Sequence, residues 1–237
     1  MVINLTILFK LISISLFRKI LVYVITKFQY ALLSYYKDSK TTELIKTIKN
    51  EVELKMEPFE AYMIYSLANA RSNFKGDMAE VGVFQGGSAK IICEAKKSSK
   101  LHWFDSFEGL PEVSEIDKTR IESIKFHEKQ FSNTELSKVK NYLSDYSNVF
   151  FYQGFFPKTA KPVENNIFSF VHLDVDLYDS TIRCLEFFYP RLEKGGIIVS
   201  HDYSSVIGVK KAFNDYFKDK DVSIINLLES QCMIIKL

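Results

Sequence analysis

The pattern of this chain predicts an α/β fold: a seven-stranded, mostly parallel sheet with helices on both faces and an antiparallel last strand. Three observations predict it. From Gly76 onward, short apolar runs alternate with helix-length segments, the signature of parallel strands joined by crossover helices. The first run leads into a glycine-rich turn that opens a helix. The last two runs are separated only by residues 228–231, too few for a crossover, so the final strand runs antiparallel to its predecessor.

The elements follow in order. Up to Tyr36 the chain has no acidic residue, and Lys10, Arg18, Lys19 and Lys27 interrupt an otherwise apolar stretch. A membrane-crossing helix needs about 20 largely uncharged apolar residues, and no uninterrupted run approaches that. A secretory signal places its charge before the apolar segment and ends at a small-residue cleavage site; neither feature is present. Two readings stand: a basic amphipathic segment on a membrane surface, or a helix packed on the domain or on a second subunit. The packed helix is preferred, because apolar helical stripes usually face a core. Residues 1–40 form this segment, and 41–75 read as a helical connector or lid. Within the connector, 41–55 is a polar linker or surface helix, and 57–71 is a helix with Pro58 at its start. The main domain spans 76–237. Its strands are expected at 78–83, 101–104, 149–152, 168–173, 197–200, 222–227 and 232–235, with helices at 88–97, 134–143, 180–192 and 209–217.

Composition sets the bounds. A chain of 237 residues, 47% hydrophobic and 25% charged, suits one folded domain with a short appendage. A net charge of +2 gives no electrostatic case for nucleic acid. Cys93, Cys184 and Cys232 are widely spaced and contain no CxxC pair, which argues against a disulfide framework or zinc site and suits a reducing compartment.

The segment MAEVGVFQGGSAKII carries Gly82, Gly86 and Gly87 at the strand-to-helix turn. Glycines let the backbone turn sharply and approach a ligand closely, and the helix N-terminus beyond, from Ser88, suits a carboxylate or phosphate. The spacing is GxxxGG, not the GxGxxG of a dinucleotide site. Glu80 just before the turn would repel a pyrophosphate and favour a cationic amino group. In LHWFDSFEGLP, Asp105 ends the second strand, where an acid can hydrogen-bond ribose hydroxyls. Together these fit an adenosine-containing cofactor.

FVHLDVDLYDST places Asp174, Asp176 and Asp179 at and beyond the end of the fourth strand, and GGIIVSHDYS places His201 and Asp202 at the end of the fifth. Neighbouring parallel strands deliver their C-terminal ends to one crevice. Carboxylates converging there repel one another unless a cation or proton intervenes, and oxygen ligands favour Mg²⁺ or a similar hard ion. Such an ion can activate a hydroxyl, with a nearby carboxylate taking its proton. Asp174 and Asp176 can serve one site only if the strand has ended by Asp176. Asp179 reads as an N-cap of the next helix.

The pieces EVGVFQGGS, FDSFEGLP, FYQGFFPKT, LDVDLYDST, FFYPRLEKGGIIVSHDY and GVKKAFNDYF, in that order over roughly 76–217, resemble the macrocin and mycinamicin O-methyltransferase family. The resemblance implies a Rossmann-like class I methyltransferase fold and Mg²⁺-assisted methyl transfer from S-adenosylmethionine to a sugar or glycoside hydroxyl. It implies cofactor contacts at Glu80, Gly82 and Ser88, ribose contacts at Asp105 and Ser106, and an adenine-side segment at Gln153 and Gly154. Asp174 and Asp202 match acidic metal positions, and Asp176 matches the second acid of the DxD pair, a candidate general base; the sequence leaves open which of Asp174 and Asp176 binds metal and which takes the proton. Where the family often has two adjacent aspartates, this chain has His201-Asp202. His201 is therefore either a third metal ligand, a base, or a residue ordering the loop.

Two other classes fit the sequence less well. An NAD-dependent oxidoreductase is disfavoured by the GxxxGG spacing and by the lack of a Tyr-x-x-x-Lys pair. A non-catalytic membrane-associated protein is disfavoured by the retained acids, since clustered carboxylates without a role are costly. A cytoplasmic homo-oligomer, peripheral on the inner membrane face if residues 1–36 contact lipid, completes the expectation.

Overall fold

A computed structural model describes residues 15–120 and 125–237. Three helices come first: α1 (Ser15–Tyr36), α2 (Ser39–Glu51) and α3 (Pro58–Arg71). The sheet and its helices follow as β1 (Asp77–Val81), α4 (Gly87–Ala95), β2 (Leu101–Asp105), α5 (Leu136–Tyr142), β3 (Val149–Gln153), β4 (Phe168–Leu173), α6 (Tyr178–Arg191), β5 (Leu192–Ser200), α7 (Ile207–Phe217), β6 (Ile225–Asn226) and β7 (Cys232–Ile235). The strand order is β3-β2-β1-β4-β5-β7-β6. β1 to β5 are mutually parallel, and β7 inserts antiparallel between β5 and β6. The order reverses between β1 and β4, which opens the crevice where ligands of such sheets bind.

Alternation along each strand sorts the core into two layers. Met78, Trp103, Phe170 and Val199 face one side, where they pack with Ile45, Ile48, Ile64 and Ile91 of α2, α3 and α4. Val81, Phe104, Val171 and Ile198 face the other, against Leu185, Phe188 and Phe213 of α6 and α7. The segment expected as a linker or surface helix at 41–55 is instead a packed helix: Ile45 and Ile48 are fully buried, and Asp38 caps its start by accepting from the Lys40 and Thr41 amides.

Boundaries shift for physical reasons. The sixth strand keeps only Ile225–Asn226, because it is an exposed sheet edge with one neighbour. β5 begins earlier than its apolar run: Leu192 pairs with Phe168 of β4, the register then shifts before Ile197 pairs with Phe170, and two backbone bonds with Lys236 hold Gly195 and Gly196 in between. Asp179 is not the cap of α6. Leu177 occupies the N-cap position, and the Tyr178 amide donates to Asp117 Oδ1 at 2.7 Å. Asp179 lies in the first turn, where its charge still favours the helix dipole. None of the helices among the described residues is long and apolar enough to cross a membrane.

Candidate active site

A cavity of about 810 Å³ opens at the C-terminal ends of β1, β2, β4 and β5. Backbone bonds tie those ends together: Gly82 N donates to Phe104 O, Asp174 N to Val81 O, and His201 N to Leu173 O, each at 2.9 Å. Gly82 sits at φ +87°, and a Cβ there would stand 1.8 Å from the Asp174 carbonyl oxygen. Only glycine allows the first turn to approach the fourth strand so closely.

The cofactor-side expectations divide. Gly82, Gly87, Ser88, Asp105, Ser106 and Gly154 lie on the cavity wall. Asp105 is also a knot of the wall. Its Oδ2 accepts from the Val83 and Phe84 amides and its Oδ1 from the Phe107 amide, so it holds the glycine turn as well as facing the cavity.

Three other expected contact residues, Glu80, Gly86 and Gln153, do not line this cavity. Glu80 is fully buried behind the wall, because alternation on β1 aims it with Met78 into the helix layer. There it meets the ring of His172, its register partner on β4, at 2.9 Å. Burial pushes the Glu80 carboxyl up, and hydrogen bonds from His172 and Ser88 pull against that. Gly86 is the N-cap of α4 at φ +86°, packed towards Leu143 and Val139 and away from the cavity. Gln153 ends the edge strand β3 exposed and off the cavity wall.

The acidic cluster does assemble. β4 ends at Leu173 and Asp176 takes φ +59°, a left-handed turn that aspartate tolerates better than most residues. Asp174 and Asp176 therefore both reach the cavity, as does Asp202, itself at φ +62°. Left-handed non-glycine residues gathered in this way are a common mark of functional sites. Burial first, then the charges of Asp202 and Asp174, hold the Asp176 carboxyl well above the usual carboxylate range.

His201 is clamped at both ends. Its Nδ1 lies 2.9 Å from Asp202 Oδ2 and 3.4 Å from Asp174 Oδ1, while Nε2 lies 3.1 Å from Glu60 Oε2. Burial works against the imidazolium, but Asp202 and Asp174 outweigh it and raise the His201 pKa well above its ordinary value. A histidine so held keeps its proton while no cation is bound.

Glu60 is the residue that sequence reasoning missed. It sits in the first turn of α3, closes a capping box with Glu57, and accepts from the backbone and hydroxyl of Ser230. Burial opposes its charge, yet His201, Ser230 and the Glu57 amide hold its carboxyl down to about 2. In sequence it is indistinguishable from an ordinary capping glutamate.

The donor set fits a divalent cation. One ligand atom each from Asp174, His201 and Asp202 lie within 4.8 Å of one another. A cation held by these residues would take the place of the Nδ1 proton and leave Nε2–H to be donated to Glu60. That is the usual carboxylate–histidine–metal arrangement.

A twisted parallel sheet with an antiparallel seventh strand and this crevice is the fold of class I methyltransferases. The chain belongs to the macrocin O-methyltransferase (TylF) family, whose sequence profile matches residues 62–232. Among curated proteins it is similar to an 8-demethyl-8-(2,3-dimethoxy-alpha-L-rhamnosyl)-tetracenomycin-C 4'-O-methyltransferase of Streptomyces olivaceus, at 30% identity over 151 residues, 60% of this chain and 58% of that one. It is also similar to the demethyldecarbamoylnovobiocin O-methyltransferase of Streptomyces niveus, at 26% identity over 162 residues, 64% of this chain and 62% of that one. The chain thus matches less than two thirds of the length of either relative. The solved O-methyltransferase NovP superposes with a TM-score of 0.65 at 22% identity, over 78% of this chain and 82% of that one, a likeness of fold.

Proposed function

We propose that this protein transfers a methyl group from S-adenosylmethionine to a hydroxyl of a sugar or glycosylated small molecule, assisted by a divalent cation. The observation that carries the reading is the meeting of Asp174, Asp176 and Asp202 at one end of a cavity whose other wall is the glycine turn. Family membership and the sugar-directed names of the two Streptomyces relatives support it.

In this reading, Gly82, Gly87 and Ser88 leave room for the amino-acid part of the cofactor, and Asp105 and Ser106 face its ribose. Asp174, Asp202 and Nδ1 of His201 would hold the cation, with Glu60 fixing the ring. When bound, the cation supplies Lewis-acid charge that lowers the pKa of the acceptor hydroxyl. Asp176 takes the hydroxyl proton, since added positive charge nearby draws its carboxyl back towards ionisation. Replacing an oxygen ligand by imidazole moves preference from Mg²⁺ towards Mn²⁺ and its neighbours. A reducing, cytoplasmic setting is part of the proposal, supported by three buried free thiols.

The test is transfer of a labelled methyl group from S-adenosylmethionine to a panel of nucleotide-linked sugars and rhamnosides, with and without a chelator. We expect label on a sugar hydroxyl, lost with chelator and restored by Mn²⁺. Label appearing on catechols and on no sugar, or transfer indifferent to chelator, would overturn the acceptor class or the metal role respectively.

A further inference from the structure

Helix α1 is turned inside out. Its side towards the protein body carries Thr26, Gln29 and Leu33. Thr26 Oγ1 donates to Glu57 Oε2 at 2.7 Å, and Gln29 accepts from the Phe59 amide at 3.2 Å while donating to the Glu229 carboxylate. Its outward side presents Ile20, Tyr23, Val24, Phe28, Tyr35 and Tyr36, each between 54% and 79% exposed. An ordinary surface helix has the reverse arrangement, and a contiguous exposed apolar face marks an interaction site.

Charge names the partner. The chain has no acidic residue before Asp38, whereas Lys19 and Lys27 are exposed on α1 and Lys37 and Lys40 follow it closely. Lys27 Nζ stands 5.4 Å from the centre of the Tyr23 ring, so cation and aromatic share one patch. We propose that this face of α1 lies in the interface of an anionic lipid bilayer. Its tyrosine and phenylalanine rings enter the headgroup region, and its lysines face lipid phosphates. A second copy suits the face less well. Self-pairing along α1 would bring lysines against a helix that carries no carboxylate. The helix lies on the membrane rather than across it, since it is not apolar enough to span. The inference stands apart from the methyl-transfer reading, because no residue of this face lines the cavity.

The experiment is co-sedimentation of the full chain with vesicles of phosphatidylcholine alone and of phosphatidylcholine with phosphatidylglycerol, at low and high salt. Binding to the anionic vesicles should exceed binding to neutral ones by at least tenfold, and should weaken at high salt. Each exposed lysine contributes about fivefold near an anionic surface, so Lys19→Gln with Lys27→Gln should weaken binding by more than tenfold. Phe28→Ser with Tyr23→Ser should do the same through lost insertion. Both pairs lie on the solvent side, and their melting temperatures should match the parent. Failure of the folded parent chain to bind anionic vesicles would overturn the proposal. So would a solution dimer that Phe28→Ser dissociates, which would assign the face to a second copy.

Discussion

Asp176→Asn is expected to lower kcat about 10²- to 10⁴-fold, the usual contribution of a positioned general base, while changing S-adenosylmethionine affinity by no more than a few-fold. Asparagine keeps the shape and tolerates the same left-handed backbone at φ +59°, but it cannot accept the proton. The same substitution should stabilise the cation-free protein at neutral pH. Burial and the neighbouring Asp202 and Asp174 raise the Asp176 pKa above its unfolded value. The sign follows from linkage: the contribution of this carboxyl to stability is intact below its unfolded pKa of about 4, and is lost as pH rises towards its folded pKa. Thermal melts without divalent cation should therefore show parent and variant converging near pH 4 and the variant melting higher at pH 7. A variant with parental kcat would remove Asp176 from the reaction. Identical melts at both pH values would show that the three carboxylates do not feel one another.

Glu60→Ala is expected to weaken Mn²⁺ binding about 10- to 100-fold, the scale on which partners of metal-bound histidines act. It should also destabilise the fold by about 3–5 kcal/mol, because it strips a buried partner from His201. Glu60 is 4% exposed and bonded at once to His201, Ser230 and the Glu57 amide. Glu60→Gln keeps an acceptor for Nε2–H and should recover most of the affinity. Calorimetric titration of folded variants with Mn²⁺ separates the readings. A purely structural Glu60 would lower the melting temperature while leaving Mn²⁺ affinity unchanged.

Much of the frame was legible because it depends on local pattern. Short apolar runs and intervening helices located all seven strands, and the four-residue link before Cys232 required the antiparallel end. The convergence of Asp174, Asp176 and Asp202 followed from neighbouring parallel strands sharing one end. What stayed hidden depends on contacts distant in sequence. Glu60 meets His201 across 141 positions, and nothing in a capping box signals such a partner. Asp117 takes over the cap of α6 from 61 residues away. Glu80 was misplaced onto the cavity wall because motif spacing does not say which face of β1 it occupies; its pairing with His172 does. α1 falls between these cases. Its apolar character was plain, but only tertiary packing reveals that Thr26 and Gln29 face inward while its larger apolar side chains face out.

The cavity between the glycine turn and the three aspartates is proposed to receive S-adenosylmethionine. Calorimetric titration of the full chain with S-adenosylmethionine, with NAD as the parallel ligand and with Mn²⁺ present and absent, tests it most directly. One S-adenosylmethionine site per chain at micromolar affinity is expected, with no NAD binding. Absence of S-adenosylmethionine binding at millimolar concentration, or a site filled by NAD instead, would contradict it.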